Sequence, residues 1–162
     1  MVLSLIAAIL GASMLPPDHL AIATRVAGAG LPQCRMYRAD GSEGPCLPSF
    51  ALTASGSING HSRAGHITFT RGATTRLTAD EFALLAGHEI AHWYLGHGES
   101  SREAELAADR LGAQLACQAG YDVTKGAAVF RFVGKSRIYP ERAERVRTVL
   151  AVGCGQAAAP AA

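Results

Sequence analysis

His88 and His92 stand four residues apart in the run Gly87-His88-Glu89-Ile90-Ala91-His92-Trp93-Tyr94-Leu95-Gly96-His97, with Glu89 directly after the first of them. On a helix, side chains four apart share a face, so one turn can present two imidazole nitrogens to one metal ion. Glu89 falls at the edge of the same site, where a carboxylate can take a proton from an attacking water. H-E-x-x-H in an apolar, helix-forming context is the layout of zinc-assisted hydrolysis.

A third ligand must come from elsewhere in the chain. Glu105 and Asp109 are four apart on a later stretch, Glu105-Leu106-Ala107-Ala108-Asp109-Arg110-Leu111-Gly112-Ala113-Gln114-Leu115. Two acids on one face of an Ala/Leu-rich helix are costly to bury unless a cation lies opposite. Zinc and a ligand histidine satisfy them if Glu105 coordinates and Asp109 takes the outer N–H of a ligand histidine. His97 is a poorer ligand: five residues past His92 is ~500° around a helix, off the ligand face unless the chain breaks at Gly96 and folds back. The spacing also excludes a metzincin, which needs Gly three and His six residues after the second ligand; here Gly96 and His97 come at four and five.

These residues need two helices to hold them. Thr78-Ala79-Asp80-Glu81 reads as a capping box that opens a helix running to about Leu95, with Gly96 as its stop and Phe82, Leu84, Leu85, Ile90 and Trp93 on its buried face. Ser100-Ser101-Arg102-Glu103 reads as a second capping box, with Leu106, Leu111 and Leu115 facing the core. Around this pair the pattern predicts a packing helix over Asp18–Gly28, short β-prone pieces at Ser49–Thr53 and Gly56–His61, and a half-buried strand Ile67–Thr70 closed by Arg71-Gly72. Asp122 is the expected N-cap of a helix over Val123–Val133, and Pro140 the first-turn residue of a last, charge-alternating helix. His61 and His66 read as surface histidines.

The chain has 162 residues, 49% of them hydrophobic, enough for one domain with its own core. Its net charge of +2, with the fifteen basic residues dispersed apart from a cluster over 131–147, leaves no footprint for nucleic acid. Residues 1–17 carry no charge and form an apolar segment too short to span a bilayer. They read as an export signal, with a short membrane anchor or a buried first helix as alternatives, and membrane association is open only to this segment. The expected organisation is therefore 1–17 as leader, 18–154 as a single domain and 155–162 as a small-residue tail. Four cysteines without C-x-x-C spacing argue against thiolate zinc and for two disulfides in an oxidising compartment. Cys34–Cys46 and Cys117–Cys154 are the expected pairs; the other connectivities stay open, and buried free thiols are the other reading.

His88-Glu89-Ile90-Ala91-His92, then Glu105-Leu106-Ala107-Ala108-Asp109-Arg110-Leu111-Gly112, then Ala119-Gly120-Tyr121-Asp122 resemble the zinc metallopeptidases of the HtpX-like and CAAX-prenyl-protease-like family, in particular its small soluble periplasmic members. The resemblance covers about residues 55–148. It implies an α+β minimal gluzincin fold: a metal-bearing helix pair, a small sheet whose edge strand lines the cleft, and further packing helices. It implies one Zn²⁺ held by His88, His92 and Glu105, Glu89 as catalytic acid/base and Asp109 as support. The chain departs from the family's pattern in having Tyr139-Pro140 where a His-Pro pair is common, followed by Arg145; Arg145 and Tyr139 are the candidate donors to a developing oxyanion. The linker of twelve residues from His92 to Glu105 also resembles compact regulatory metallopeptidases. The expected activity is endopeptidase action on exported or envelope polypeptides bound along Ile67–Thr70. The rival is a non-catalytic, zinc-stabilised polypeptide-binding or envelope accessory module, which has no need of Glu89.

Overall fold

In the computed structural model the described residues are 13–30, 35–37, 43–45, 47–63, 65–98, 100–134 and 139–154. Most of the expected leader, the pair Cys34–Cys46 and the tail 155–162 lie outside them. The fold is α+β. Helix α1 (Pro17–Ala29) is followed by the antiparallel pair β1 (Arg35–Tyr37) and β2 (Glu43–Pro45). A three-stranded sheet then forms from β3 (Ser49–Thr53), β4 (Gly60–Arg63) and β5 (His66–Thr70). Next come α2 (Arg71–Arg76), α3 (Ala79–Tyr94), α4 (Arg102–Gln118), the short α5 (Val123–Gly126), a 3₁₀ segment (Ala127–Phe132) and α6 (Arg142–Leu150).

The sheet corrects one expectation. Its order is β3-β5-β4, with β3 parallel and β4 antiparallel to β5. The strand Ile67–Thr70 is therefore central, with both rows of backbone groups taken, and cannot accept a substrate strand. Its alternation still does what the sequence pattern implied: Ile67 and Phe69 point into the core, where Phe69 packs on Phe82 of α3 at 4.9 Å between ring centroids. The strand beside α3 is β4, and it begins at Gly60 rather than Gly56. Residues 57–59 are drawn into a loop by Thr70, whose hydroxyl donates to the Ser57 carbonyl (2.6 Å) and accepts from Asn59 N–H (3.1 Å). The same hydroxyl accepts from Ala73 N–H and caps α2, a helix the Arg71-Gly72 stop signal had concealed.

The helix ends show where local rules held and where they slipped. Thr78 and Glu81 form the expected reciprocal capping box at α3. Burial alone would raise Glu81, but its ion pair with Arg131 and its bonds to Thr78 outweigh that and hold its carboxyl below the usual range. At α4 the cap is Ser101, one residue later than expected; its hydroxyl accepts from Ala104 N–H, so the third helical position is an alanine and no reciprocal box forms. Asp122 caps α5 as expected, but the helix tightens to 3₁₀ after Gly126, where a side chain would strike the Asp80 carbonyl. Pro140 lies before α6 rather than inside it, because Glu141 is extended and serves as N-cap.

The core lies between α1, the sheet and the helices, with Val26, Ile67, Phe69, Phe82, Ile90, Leu115 and Val149 fully buried. The packed unit takes in residues upstream of the boundary expected at residue 18. Leu15 is buried, and Ser13 pairs with Leu52 on the outer edge of β3 through two backbone hydrogen bonds of 2.9 and 2.7 Å. Cys117, at the end of α4, is joined to Cys154 beyond α6 with Cα atoms 5.4 Å apart, the usual span of a disulfide. Among the described residues no helix is long and apolar enough to cross a membrane.

Candidate metal centre

The site is built where α3 and α4 touch backbone to backbone. Gly87 and Gly112 face each other so closely that a Cβ on Gly87 would sit 2.4 Å from the Gly112 carbonyl oxygen, and one on Gly112 would sit 2.5 Å from His88 N. Glycine inside a helix costs about 1 kcal/mol relative to alanine, a cost offset here by the approach it permits. Glu105, Asp109 and Gly112 follow one another at spacings of four and three, so they share the face of α4 that meets α3. The contact thus puts both acids opposite His88 and His92.

The resulting geometry is compact. His88 Nε2 and His92 Nε2 are 3.0 Å apart, and each lies 3.5 Å from a Glu105 carboxylate oxygen. Bonds of about 2.0–2.1 Å at tetrahedral angles put ligand atoms about 3.3–3.4 Å from one another. The three residues expected as ligands therefore form a group that could hold one metal ion. Behind it, Asp109 Oδ1 lies 2.9 Å from His88 Nδ1. Arg145 of α6 grips Asp109 with two charge-assisted bonds, Nε to Oδ2 at 2.7 Å and Nη2 to Oδ1 at 2.6 Å. Asp109 thus stands between His88 and Arg145.

Charge supplies a second test of the fit. Glu89, Glu105 and Asp109 are 7%, 4% and 1% exposed, and Arg145, at 6%, is the buried cation beside them. With the histidines neutral, as ligands are, three carboxylates against one guanidinium leave a formal excess of two negative charges in a desolvated site, which a divalent cation neutralises. Burial opposes ionisation of Glu105, but the hydrogen bonds from His88 and His92 outweigh it and hold the carboxyl well below the usual range. Burial likewise opposes the charge on Asp109 and is overcome by Arg145 and His88. His88 answers the same acids: burial lowers it, yet Asp109 and Glu105 draw it up to about 9. Burial pushes Glu89 up, against the pull of His88 and His92.

A cleft of about 510 Å³ opens on these groups. One wall is β4 with the residues before it, Ile58 to Ser62; the other is apolar, with Leu84, Leu85, Val129 and Phe130. Gly60 on β4 lies against Glu89 so closely that a Cβ there would be 2.6 Å from the Glu89 Cγ. Tyr139, 40% exposed, stands on the lining of this cleft. Arg145, the other expected oxyanion donor, also borders this cleft. Its Nε and Nη2 are engaged by Asp109, and Nη2 also lies 3.5 Å from Glu105, so it braces the centre from behind.

His97 stands outside the ligand group. The chain does break at Gly96 and fold back, and His97 Nδ1 comes to 2.9 Å from His92 Nδ1, on the side of that ring away from Glu105's contact with Nε2. Burial lowers the His97 pKa, as does neighbouring His92. His61 and His66 are exposed, as expected, although His61 borders the cleft. Two interior helix glycines, Gly87 and Gly112, were the one sequence signal that could have announced the close crossing. No family model matches the chain, and no curated protein matches it in sequence.

Proposed function

We propose that this chain is a zinc-dependent metallopeptidase with a minimal gluzincin arrangement, cleaving peptide bonds in exported or envelope polypeptides. The reading rests on one observation above others: His88, His92 and Glu105 present three ligand atoms at close to tetrahedral spacing, and the buried Glu89 carboxyl shares their cleft. Three protein ligands are the number a catalytic zinc uses, the fourth position being left for water or substrate. Zinc, when bound there, supplies Lewis acidity to a carbonyl and lowers the pKa of its water to about 7.

The chain's own residues do the rest. Glu89 accepts a proton from the attacking water and hands it to the departing amine nitrogen. Its desolvated setting favours both halves of that task, because burial brings a carboxylate's affinity for protons towards neutral pH. Asp109, pinned by Arg145, holds His88 with Nδ1–H outward and Nε2 inward. Tyr139 is the candidate donor to the carbonyl oxygen as it gains charge. The substrate strand belongs on β4, which among the described residues is hydrogen-bonded to β5 on one side only and whose Gly60 adjoins Glu89. The resemblance to HtpX-like peptidases supports this reading, and the Cys117–Cys154 disulfide fits an oxidising compartment such as the periplasm.

Replacing Glu89 with Gln tests the mechanism. The variant is expected to bind zinc one to one, by metal analysis, while hydrolysis of a quenched peptide library falls by at least about a hundredfold. Equal turnover in the two proteins overturns it.

A further inference from the structure

The end of α3 is a Schellman motif with an unusual pair of side chains. Gly96 takes φ +67°, a left-handed value suited to glycine. Gly96 N–H donates to the Trp93 carbonyl at 3.2 Å and His97 N–H to the His92 carbonyl at 3.0 Å, the two bonds that define the motif. Such a reversal brings the second residue past the cap onto the last full turn, and the contact made there is commonly apolar. Here the two residues are His97 and His92, their ring centroids 5.0 Å apart and inclined at 71°, with the two Nδ1 atoms at hydrogen-bond distance.

Only one tautomeric arrangement of that bond suits a ligand. For His92 Nε2 to offer its lone pair toward Glu105 and His88, the ring proton must sit on Nδ1, and the group facing Nδ1 must accept it. A neutral His97 with its proton on Nε2 does so. We propose that His97 is a positioning residue of the metal centre, its Nδ1 accepting the Nδ1–H of His92 and so fixing the ring and tautomer that present Nε2 to the ion. This rests on His88, His92 and Glu105 being the ligands. His97 is not itself a ligand in this reading: zinc content at saturation is unchanged when it is replaced, while affinity is not. The two ligand histidines are then oriented by different means, His88 by an anionic carboxylate from α4 and His92 by a neutral imidazole from the turn that ends its own helix.

The test uses the full chain and Zn²⁺ alone. His97→Phe keeps the bulk and the aromatic contact but removes the acceptor; His97→Ala is the second variant without one. His97→Asn restores it, since the Asn Oδ1 sits the same number of bonds from Cα as the histidine Nδ1. Chelator competition is expected to show about 10–100-fold weaker zinc binding in the Phe and Ala variants, with His97→Asn within a fewfold of the parent. Long-range ¹H–¹⁵N spectra of the zinc-loaded parent are expected to give His92 as the Nδ1–H tautomer, its Nδ1–H signal shifting when His97 is Phe. Equal affinity in parent and His97→Phe overturns the proposal, as does an equal loss in Phe and Asn variants, which assigns the effect to packing. Failure of the parent itself to bind zinc removes the metal-centre reading and this proposal together.

Discussion

The cleft has two unlike sides. On the helix side, α3, α4 and α6 contribute every candidate ligand and every buried charge among the described residues, and they are joined by a backbone contact of glycine on glycine at 87 and 112 and by the side chains of Arg145 on Asp109 and Asp109 on His88. On the strand side, β4 borders the cleft with Gly60, His61 and Ser62, and Gly60 can lie against Glu89 because it has no side chain. The division separates two tasks: one side fixes a charge distribution, the other offers a hydrogen-bonding edge at a set height above it. Damage to the first should therefore appear as lost stability and lost metal, and damage to the second as lost turnover alone.

Arg145→Met tests that division most severely. It leaves Asp109 buried with half its partners gone, and removing one member of a buried ion pair costs about 3–5 kcal/mol. Urea unfolding is expected to show a loss of that size, together with weaker zinc binding. A variant as stable as the parent would mean that the helix side is not braced by this pair.

Next in size is a pH effect confined to the helix side. In protein stripped by chelation, His88 titrates at about 9, above its ordinary value of 6.5. Its protonated form thus stabilises the stripped fold fully below about pH 6.5, a contribution lost as pH rises through 9. The ion needs the same nitrogen unprotonated, so zinc affinity should rise about tenfold per pH unit between those limits and level off above them. Thermal melts of stripped protein and chelator competition, run in parallel from pH 6.5 to 9.5, are expected to move in opposite directions.

The smallest expected effect lies across the cleft. Gly60→Ala forces Glu89 to give way, since the new Cβ would lie 2.9 Å from its Oε1. Zinc affinity should be unchanged while kcat falls on the order of tenfold, displacements of about 1 Å costing up to a hundredfold. A loss of zinc in this variant would erase the distinction between the two sides.

The helix side was the legible one, because its rules are local. Capping at Thr78, the four-residue spacing of His88 and His92, and the shared face of Glu105 and Asp109 all follow from the period of a helix, and all three stand in the structure. What joins distant segments was harder to read. Arg145 lies thirty-six residues from Asp109, so only the packing of α6 on α4 reveals the pair. Strand order was hidden for the same reason: alternation in Ile67–Thr70 tells which face is buried and is silent on which neighbours occupy the edges. The approach of His97 to His92 depends on the left-handed turn at Gly96, past which a helical projection no longer applies.

The Cys117–Cys154 bridge bears on the chain when it is not folded. It closes a loop of 37 residues that contains Arg145 and begins eight residues after Asp109. Loop-closure entropy for that length amounts to about 4 kcal/mol withheld from the denatured ensemble. The two halves of the buried ion pair therefore never diffuse fully apart, and each search for the native arrangement starts with them held within a short tether's reach. Reduction is expected to act on the statistics of the random chain, so its signature belongs in the refolding rate and the unfolding midpoint.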